Sequence, residues 1–535
     1  MSTTVRYAVY LVTLTTLMAA ILLFSGKLLL TAHVGDVLHS LEAGYRMADG
    51  EVPHLDFMTP IGIIGFAPLA LFLSLGFAPG ASMVLSNTLV TFLLLPAVVW
   101  IGVTRLEGWA RWIFGFVIVL YGMAFVYGGI SPVVSFSMYY NRWAWAVLFV
   151  VLFALLWPQK TGHPRPDVDA VIVGLGLSVL ALMKMTFFLA FGIAGFLILV
   201  LSRRYRFLAI SALTGLLVAA VVTLMFGVGF WFAYADDLLQ VALHSPRPYP
   251  DRDFYSTLVA ADRGLGTLAY LLAIILLRSA GARRQGLILL ILAPAFAYVV
   301  FQNWGNEQKW LVFLGLYLLA NLPAIEGGRI FGIPARKVAL ALLVVIATLI
   351  LPPMLTMVSS VFKASYFNTA TARQFPFAEG ERDLWVTKKG NLLRTVKLAS
   401  VENSLWPGES PEDYPLDSFL GEDLPACRLT GGYISDVYQG LKLIDTVPGA
   451  RAARLALADD VNDFWMFSDV KRLRGGAPWY YSGSYGYDDA DYYLVPLCPK
   501  APLKRKESIQ AMESTGWQFA EVGRSDTYIL YRIDR

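Results

Sequence analysis

Cysteine is almost absent from this chain of 535 residues: there are two. That excludes a disulfide-dense scaffold and a Cys-rich metal protein. Charge is scarce as well. Asp, Glu, Lys and Arg make up 15% of the residues, against about 25% in ordinary soluble domains. Together with 57% hydrophobic residues, this excludes a soluble globular enzyme and a disordered chain. A net charge of +4 is too small to point to nucleic acid. What the chain has in abundance is long apolar sequence broken by short polar loops. It reads as an α-helical polytopic membrane protein with one soluble part.

The shortage of acid is local. Residues 1–360 hold 15 of the 39 acidic residues and 361–535 hold 24, while the basic counts are 22 and 21. Two domains are expected, a transmembrane one over 1–360 and a soluble α/β one over 361–535. The boundary falls where the apolar run Val338 to Val361 gives way to Lys363.

A helical span needs about 20 mostly apolar residues. Runs near 6–30, 81–104, 112–129, 142–157, 168–184, 187–202, 207–233, 264–279, 286–302, 309–323 and 338–360 read as spans, about 11 crossings. The first is expected to be retained, because no small-residue cleavage site follows it. A further run, Thr59 to Phe77, contains Pro60, Pro68, Gly62, Gly65 and Gly76. Cytoplasmic loops collect Lys and Arg. If 59–77 does not cross and the N-terminus is inside, the inner loops carry 14 basic residues against four acidic ones. If it crossed, every later basic loop would face outward. Thr59–Phe77 is therefore expected to be interfacial or re-entrant, with the C-terminal domain outside the cytoplasmic membrane. No internal repeat stands out of the kind that inverted-repeat transporters carry.

The polar residues gather in the outer loops. The first, about 31–58, holds Asp36, Glu42, Asp49, Glu51 and Asp56, and three of the chain's five His: His33, His39 and His54. Val37, Leu41 and Tyr45 give it helical character up to the Asp49-Gly50 turn. His33, Asp36 and His39 are three apart, so a helix brings them near one face, where they could hold a divalent cation. The plainer alternative makes Asp36 an N-cap or first-turn acid. Glu42 and Glu51 read as solvated. A later segment, 234–263, carries Asp236, Asp237, Arg247, Asp251, Arg252 and Asp253. With Pro246, Pro248 and Pro250 it reads as a stiff loop, either functional or a solvated connector.

Three cations border apolar runs at their outer ends: Arg142 in SMYYNRWAW, Lys184 in LALMKMTFF and Lys309 in QNWGNEQKW. Such cations are candidates for function. The alternative is snorkelling to headgroups beside Trp143, Trp304 and Trp310. Lys184 has only Thr186 as a polar neighbour and needs an anionic partner from elsewhere. Carboxylates of the first loop could activate a hydroxyl acceptor while cations hold a phosphate leaving group.

The first loop resembles that of the GT-C glycosyltransferases, multi-span enzymes that use polyprenyl-phosphate-linked sugars. The matching stretch is Gly35-Asp36, Tyr45-Arg46, Asp49-Gly50 and Pro53-His54-Leu55-Asp56-Phe57-Met58-Thr59-Pro60, with His54 in place of the usual aromatic. The interfacial helix belongs to the same pattern, and Tyr140-Asn141-Arg142 and Lys184 match it more loosely. The resemblance covers 1–360. It implies an inverting transfer at the outer face of the membrane to a glycan, lipid or protein acceptor, with or without a divalent metal.

On that reading Asp36 is the base and Asp56 orients substrate or shares a metal with it. Lys184, Arg142, Lys309 and Arg252 bind the donor phosphate. The competing readings are a transporter or flippase for a lipid-linked or anionic solute, and a non-catalytic envelope-assembly subunit. Transporters place ionisable groups at the midplane, whereas here the acids cluster in loops. In the tail, Tyr492–Leu497 and Tyr528–Ile533 read as strands and Ile509–Ser514 as a helix ending at Gly516. Cys427 and Cys498 are expected to pair, since a disulfide persists outside the cytoplasm.

Overall fold

The computed structural model describes residues 2–128, 131–160, 164–244, 253–260, 263–377, 382–398 and 417–535. The helices of the bundle, in chain order, are α1 (Thr3–Phe24), α2 (Val34–Ala48), α3 (Ala67–Ser74), α4 (Pro79–Arg105), α5 (Gly108–Met123), α6 (Tyr139–Leu156), α7 (Pro166–Ala181) and α8 (Met185–Leu201). They continue with α9 (Tyr205–Phe226), α10 (Gly229–His244), α11 (Phe254–Val259), α12 (Gly264–Ser279), α13 (Arg283–Gln302), α14 (Trp310–Asn321) and α15 (Ala335–Ser365). Each apolar run read as a span overlaps one of these helices, and 207–233 overlaps two. Among the described residues six are long and apolar enough to cross a membrane: α1, α4, α6, α9, α13 and α15.

Burial sorts these helices. Of the apolar window of α6, 94% is buried, against 17% for α9 and for α15. A helix apolar on every side can be satisfied by protein or by lipid. The central α6 takes the first course, while α9 and α15 turn Leu216, Leu224 and Val344 outward, all exposed.

Three runs end differently from their hydropathy. The first stops as helix at Phe24, and after the turn at Gly26 (φ 61°) Leu28–Leu30 form a strand. That strand pairs in parallel with Leu384–Val386 of the tail. Run 207–233 is cut at Gly227 (φ 77°), where α9 ends, and α10 takes up part of the segment read as a stiff loop. Pro246, Pro248 and Pro250 lie outside the described residues. Within Thr59–Phe77 the regular structure is a 3-10 turn, Ile63–Gly65, and the eight residues of α3. At about 12 Å, α3 is too short to cross.

The tail carries a four-stranded mixed sheet in the order 455–457, 492–496, 528–534, 518–524. Helices α16 (Tyr433–Asp445) and α17 (Pro502–Glu513) accompany it. The helix expected from Ile509 begins seven residues earlier, behind Pro502 at its N-terminus, and α16, with Ile434, Val437, Leu441 and Ile444 buried on one face, is an element the sequence reading does not include. Cys427 and Cys498 are disulfide-bonded, with Cα atoms 5.0 Å apart.

Bundle and tail are laced together through the head of α4 and the first loop. Asp383 accepts from the Gly80 and Ala81 N–H groups at 2.9 and 2.6 Å, capping α4. Glu42 and Glu51, read as solvated, are not. Glu42 is buried, pairs with Arg46 at 2.8 Å and accepts from the Trp465 indole at 2.5 Å. Glu51 is half-buried and bridges Arg46 and Arg472 at 2.9 and 2.8 Å. The Arg46 guanidinium also donates to the Leu473 carbonyl at 3.1 Å. Trp465, Arg472 and Leu473 lie more than 400 residues from their partners in the first loop, beyond the reach of local pattern.

Candidate functional site

Helix α2 opens at His33, which holds a left-handed backbone (φ 61°) and gives no side-chain cap. Asp36 is in the first turn, where the helix dipole favours an acid. It is therefore not an N-cap. Its carboxylate turns away from its own helix and accepts from Ser137 Oγ at 2.5 Å. Ser137 N–H is held by Ser135 Oγ at 3.0 Å, and Ser135 Oγ lies 3.1 Å from His33 Nδ1. The polar segment before α6 thus fixes both His33 and Asp36. Burial keeps the His33 imidazole below its ordinary range, against the pull of Asp36.

His33, Asp36 and His39 do not converge as a ligand set: His33 is spent on Ser135, and His39 lies edge-on to Phe66 and Trp479. Among the described residues no group of three His, Cys, Asp or Glu is arranged to hold a metal. His39 is buried, and its Nε2 has no hydrogen-bond partner among the described residues. Burial, then the positive charges of Lys500 and Lys184, push its pKa down to about 3. The two cations that act on the imidazole come from different parts of the chain.

Lys184 is buried in the turn between α7 and α8, its Nζ 5.2 Å from the Tyr140 ring centroid. Arg142 is wholly buried at the head of α6. One of its amino groups donates to the Val126 carbonyl and reaches the Ser137 carbonyl at 3.5 Å. Its Nε and Nη2 find no acceptor among the described residues. Arg142 therefore stands behind the same Ser137 that holds Asp36. Lys309 is also buried, donates to the Gly305 carbonyl and pairs with Glu307 at 2.8 Å. Neither Arg142 nor Lys309 snorkels. Arg252 lies outside the described residues.

Asp56 is exposed and accepts the Val52 N–H at 2.7 Å, closing a turn. It shares no contact with Asp36 among the described residues, so the position gives no support to a joint role. The first loop instead contributes His54. Its Nδ1 pairs with Asp237 Oδ2 at 2.8 Å, and its ring stacks on Tyr234 with centroids 4.2 Å apart. Asp237 also accepts the Thr59 N–H at 3.0 Å. This dyad pins the first loop to α10. The signal was the AspAsp pair at 236–237, but nothing local named His54 as its partner.

Behind Lys184 opens a cavity of about 550 Å³ between α6, α7, α8 and α9. Its walls are apolar, among them Leu155, Gly174, Phe191 and Gly215. Leu182 and Met185, which flank Lys184, line it too. Gly62 keeps the Lys184 turn in place: a Cβ there would stand 2.2 Å from the Leu182 carbonyl oxygen. An apolar cavity beside the turn that carries a buried cation suits an amphiphile with an anionic head. Comparison with protein-family models and with curated proteins finds no match.

Proposed function

We propose that this chain is a membrane glycosyltransferase of the GT-C type. It moves a sugar from a polyprenyl-phosphate donor to a hydroxyl acceptor at the outer face of the membrane. The carrying observation is the Asp36 carboxylate, oriented by the hydroxyl of Ser137, whose carbonyl the buried guanidinium of Arg142 reaches at 3.5 Å. The buried Lys184, in a turn whose Leu182 and Met185 line the apolar cavity, supports the same reading.

In this reading the polyprenyl chain lies in apolar surroundings and its phosphate meets Lys184 and Arg142. The acceptor oxygen attacks the anomeric carbon from the face opposite the phosphate. As that bond forms, the hydroxyl proton passes to Asp36 and the sugar–phosphate C–O bond breaks. The electron pair leaves with the phosphate, whose growing charge the cations stabilise. A carboxylate serves as base when held within hydrogen-bond reach, and Ser137 provides that hold. The reading includes about 11 crossings, the shorter helices spanning with the longer ones, and an extracytoplasmic tail. Reporter fusions after Leu201 and after Arg535 test this threading: an outward-facing loop at 203–206 would overturn it. Transfer itself is tested by incubating the purified protein with a panel of polyprenyl-phosphate sugars and measuring released polyprenyl phosphate.

A further inference from the structure

Lys500 is placed with more care than a surface lysine needs. Its backbone N–H donates to Asp459 at 2.7 Å, and its carbonyl accepts from Arg428 Nε at 3.1 Å. The preceding Pro499 carbonyl accepts the Leu429 N–H at 2.8 Å, next to the Cys427–Cys498 bond. From this pinned backbone the side chain crosses to the first loop. A Cβ at Gly35, the second residue of α2, would lie 3.2 Å from Lys500 Nζ. The ammonium also stands 3.9 Å from the Trp479 ring centroid and 2.7 Å from Asp460 Oδ2.

A cation over a helix N-terminus is electrostatically out of place, because that end of the helix favours anions. Asp460 offsets part of the charge. His39, one turn along α2, presents a buried Nε2 with no partner among the described residues and shares Trp479 with Lys500. Lys500, paired with Asp460, and the unpartnered His39 Nε2 both border Trp479 beside the first turn of α2, and an anion that replaces Asp460 on Lys500 can also accept from His39 in its Nε2–H tautomer. We infer that Lys500 of the tail, with His39, binds the phosphate of a prenyl phosphate at the head of α2, exchanging Asp460 for the ligand. This rests on the proposed transfer reading only for the identity of the lipid. It adds that the tail, not the bundle alone, builds the anion site.

The test measures binding of farnesyl phosphate, farnesol and inorganic phosphate to the purified full chain in detergent. Farnesyl phosphate should bind more tightly than farnesol and be displaced by inorganic phosphate. Lys500→Gln should weaken farnesyl phosphate about 10-fold or more, the usual scale for a lost hydrogen bond to a charged group, and leave farnesol unchanged. Lys500→Arg should keep most of the affinity. Asp460→Asn leaves the lysine charge in place and removes its competitor, so it should tighten farnesyl phosphate severalfold. This variant decides the matter even if Lys500→Gln misfolds, since a purely structural Lys500–Asp460 link predicts no tightening. Equal binding of farnesol and farnesyl phosphate, or an unaltered affinity in Asp460→Asn, overturns the inference. If binding depends on Lys500 but no donor sugar is ever transferred, the anion site stands and the transfer reading falls. If transfer proceeds in Lys500→Gln with unchanged donor KM, the reverse holds.

Discussion

Arg46→Met should unlatch the tail from the first loop. The guanidinium is 1% exposed and makes three polar links: to Glu42, to Glu51 and to the Leu473 carbonyl. Methionine keeps much of the volume and removes all three. Glu42, itself 2% exposed, is left with the Trp465 indole alone. Breaking a buried pair by deleting one partner costs about 3–5 kcal/mol, because the remaining charge is uncompensated. The lost carbonyl bond adds about 1 kcal/mol. Removing the stranded charge as well, in Glu42→Gln with Arg46→Met, should recover at least about half of that loss. Hydrogen exchange of the amides around Trp465 to Leu473 reads the opening of this contact without unfolding the bundle. Their protection should fall sharply in Arg46→Met and return in the double variant. Wild-type protection in Arg46→Met, or no recovery in the double variant, would refute the clamp.

Other consequences are as direct. Asp459 and Asp463 are buried carboxyls whose pKa burial raises to about 7, for Asp459 with a further push from Asp460. The folded tail then holds protons that the unfolded chain has shed above about pH 4. The tail should lose stability as pH rises from about 4 to 7, by up to about 1.4 kcal/mol per pH unit for each carboxyl. Thermal melts at pH 5.5 and 7.5 should show the lower pH more stable, and Asp463→Asn should flatten the difference. Reducing the Cys427–Cys498 bond, which closes a separation of 71 residues, should cost the tail roughly 4 kcal/mol. Limited proteolysis with and without reductant reads that loss. Gly62→Ala forces a shift of the Leu182 carbonyl; it should cost about 1–3 kcal/mol and weaken donor binding through displacement of Lys184, seen as a higher donor KM at near-normal kcat.

The helical plan was readable because apolar runs of the right length leave few alternatives. The sequence ends of those runs were less so. Leu28–Leu30 is as apolar as the helix before it, and only its pairing with Leu384–Val386 makes it a strand. Gly227, read as part of one continuous span, is where α9 breaks from α10. At the site, the spacing of Asp36 and His39 was legible from the helix period, but Ser137 was not, since a serine a hundred residues away carries no local signature. Glu42 and Arg46 showed their i,i+4 relation openly. Their burial came from Trp465 and Leu473, which no window of sequence places beside them. Lys500 lies in a short Pro-rich stretch, Pro496 to Pro502, where a lysine looks like ordinary solvated loop.

The central claim rests on Asp36 as the base. An Asp36→Asn variant, confirmed folded by its tail disulfide and by unchanged farnesyl phosphate binding, should be assayed at saturating polyprenyl-phosphate sugar for release of polyprenyl phosphate. The amide keeps the size of the side chain and still accepts the Ser137 hydrogen bond, but it takes no proton. General-base catalysis is worth about 10²–10⁴-fold, so turnover should fall at least about 100-fold with donor KM little changed. Wild-type turnover in Asp36→Asn would contradict the account.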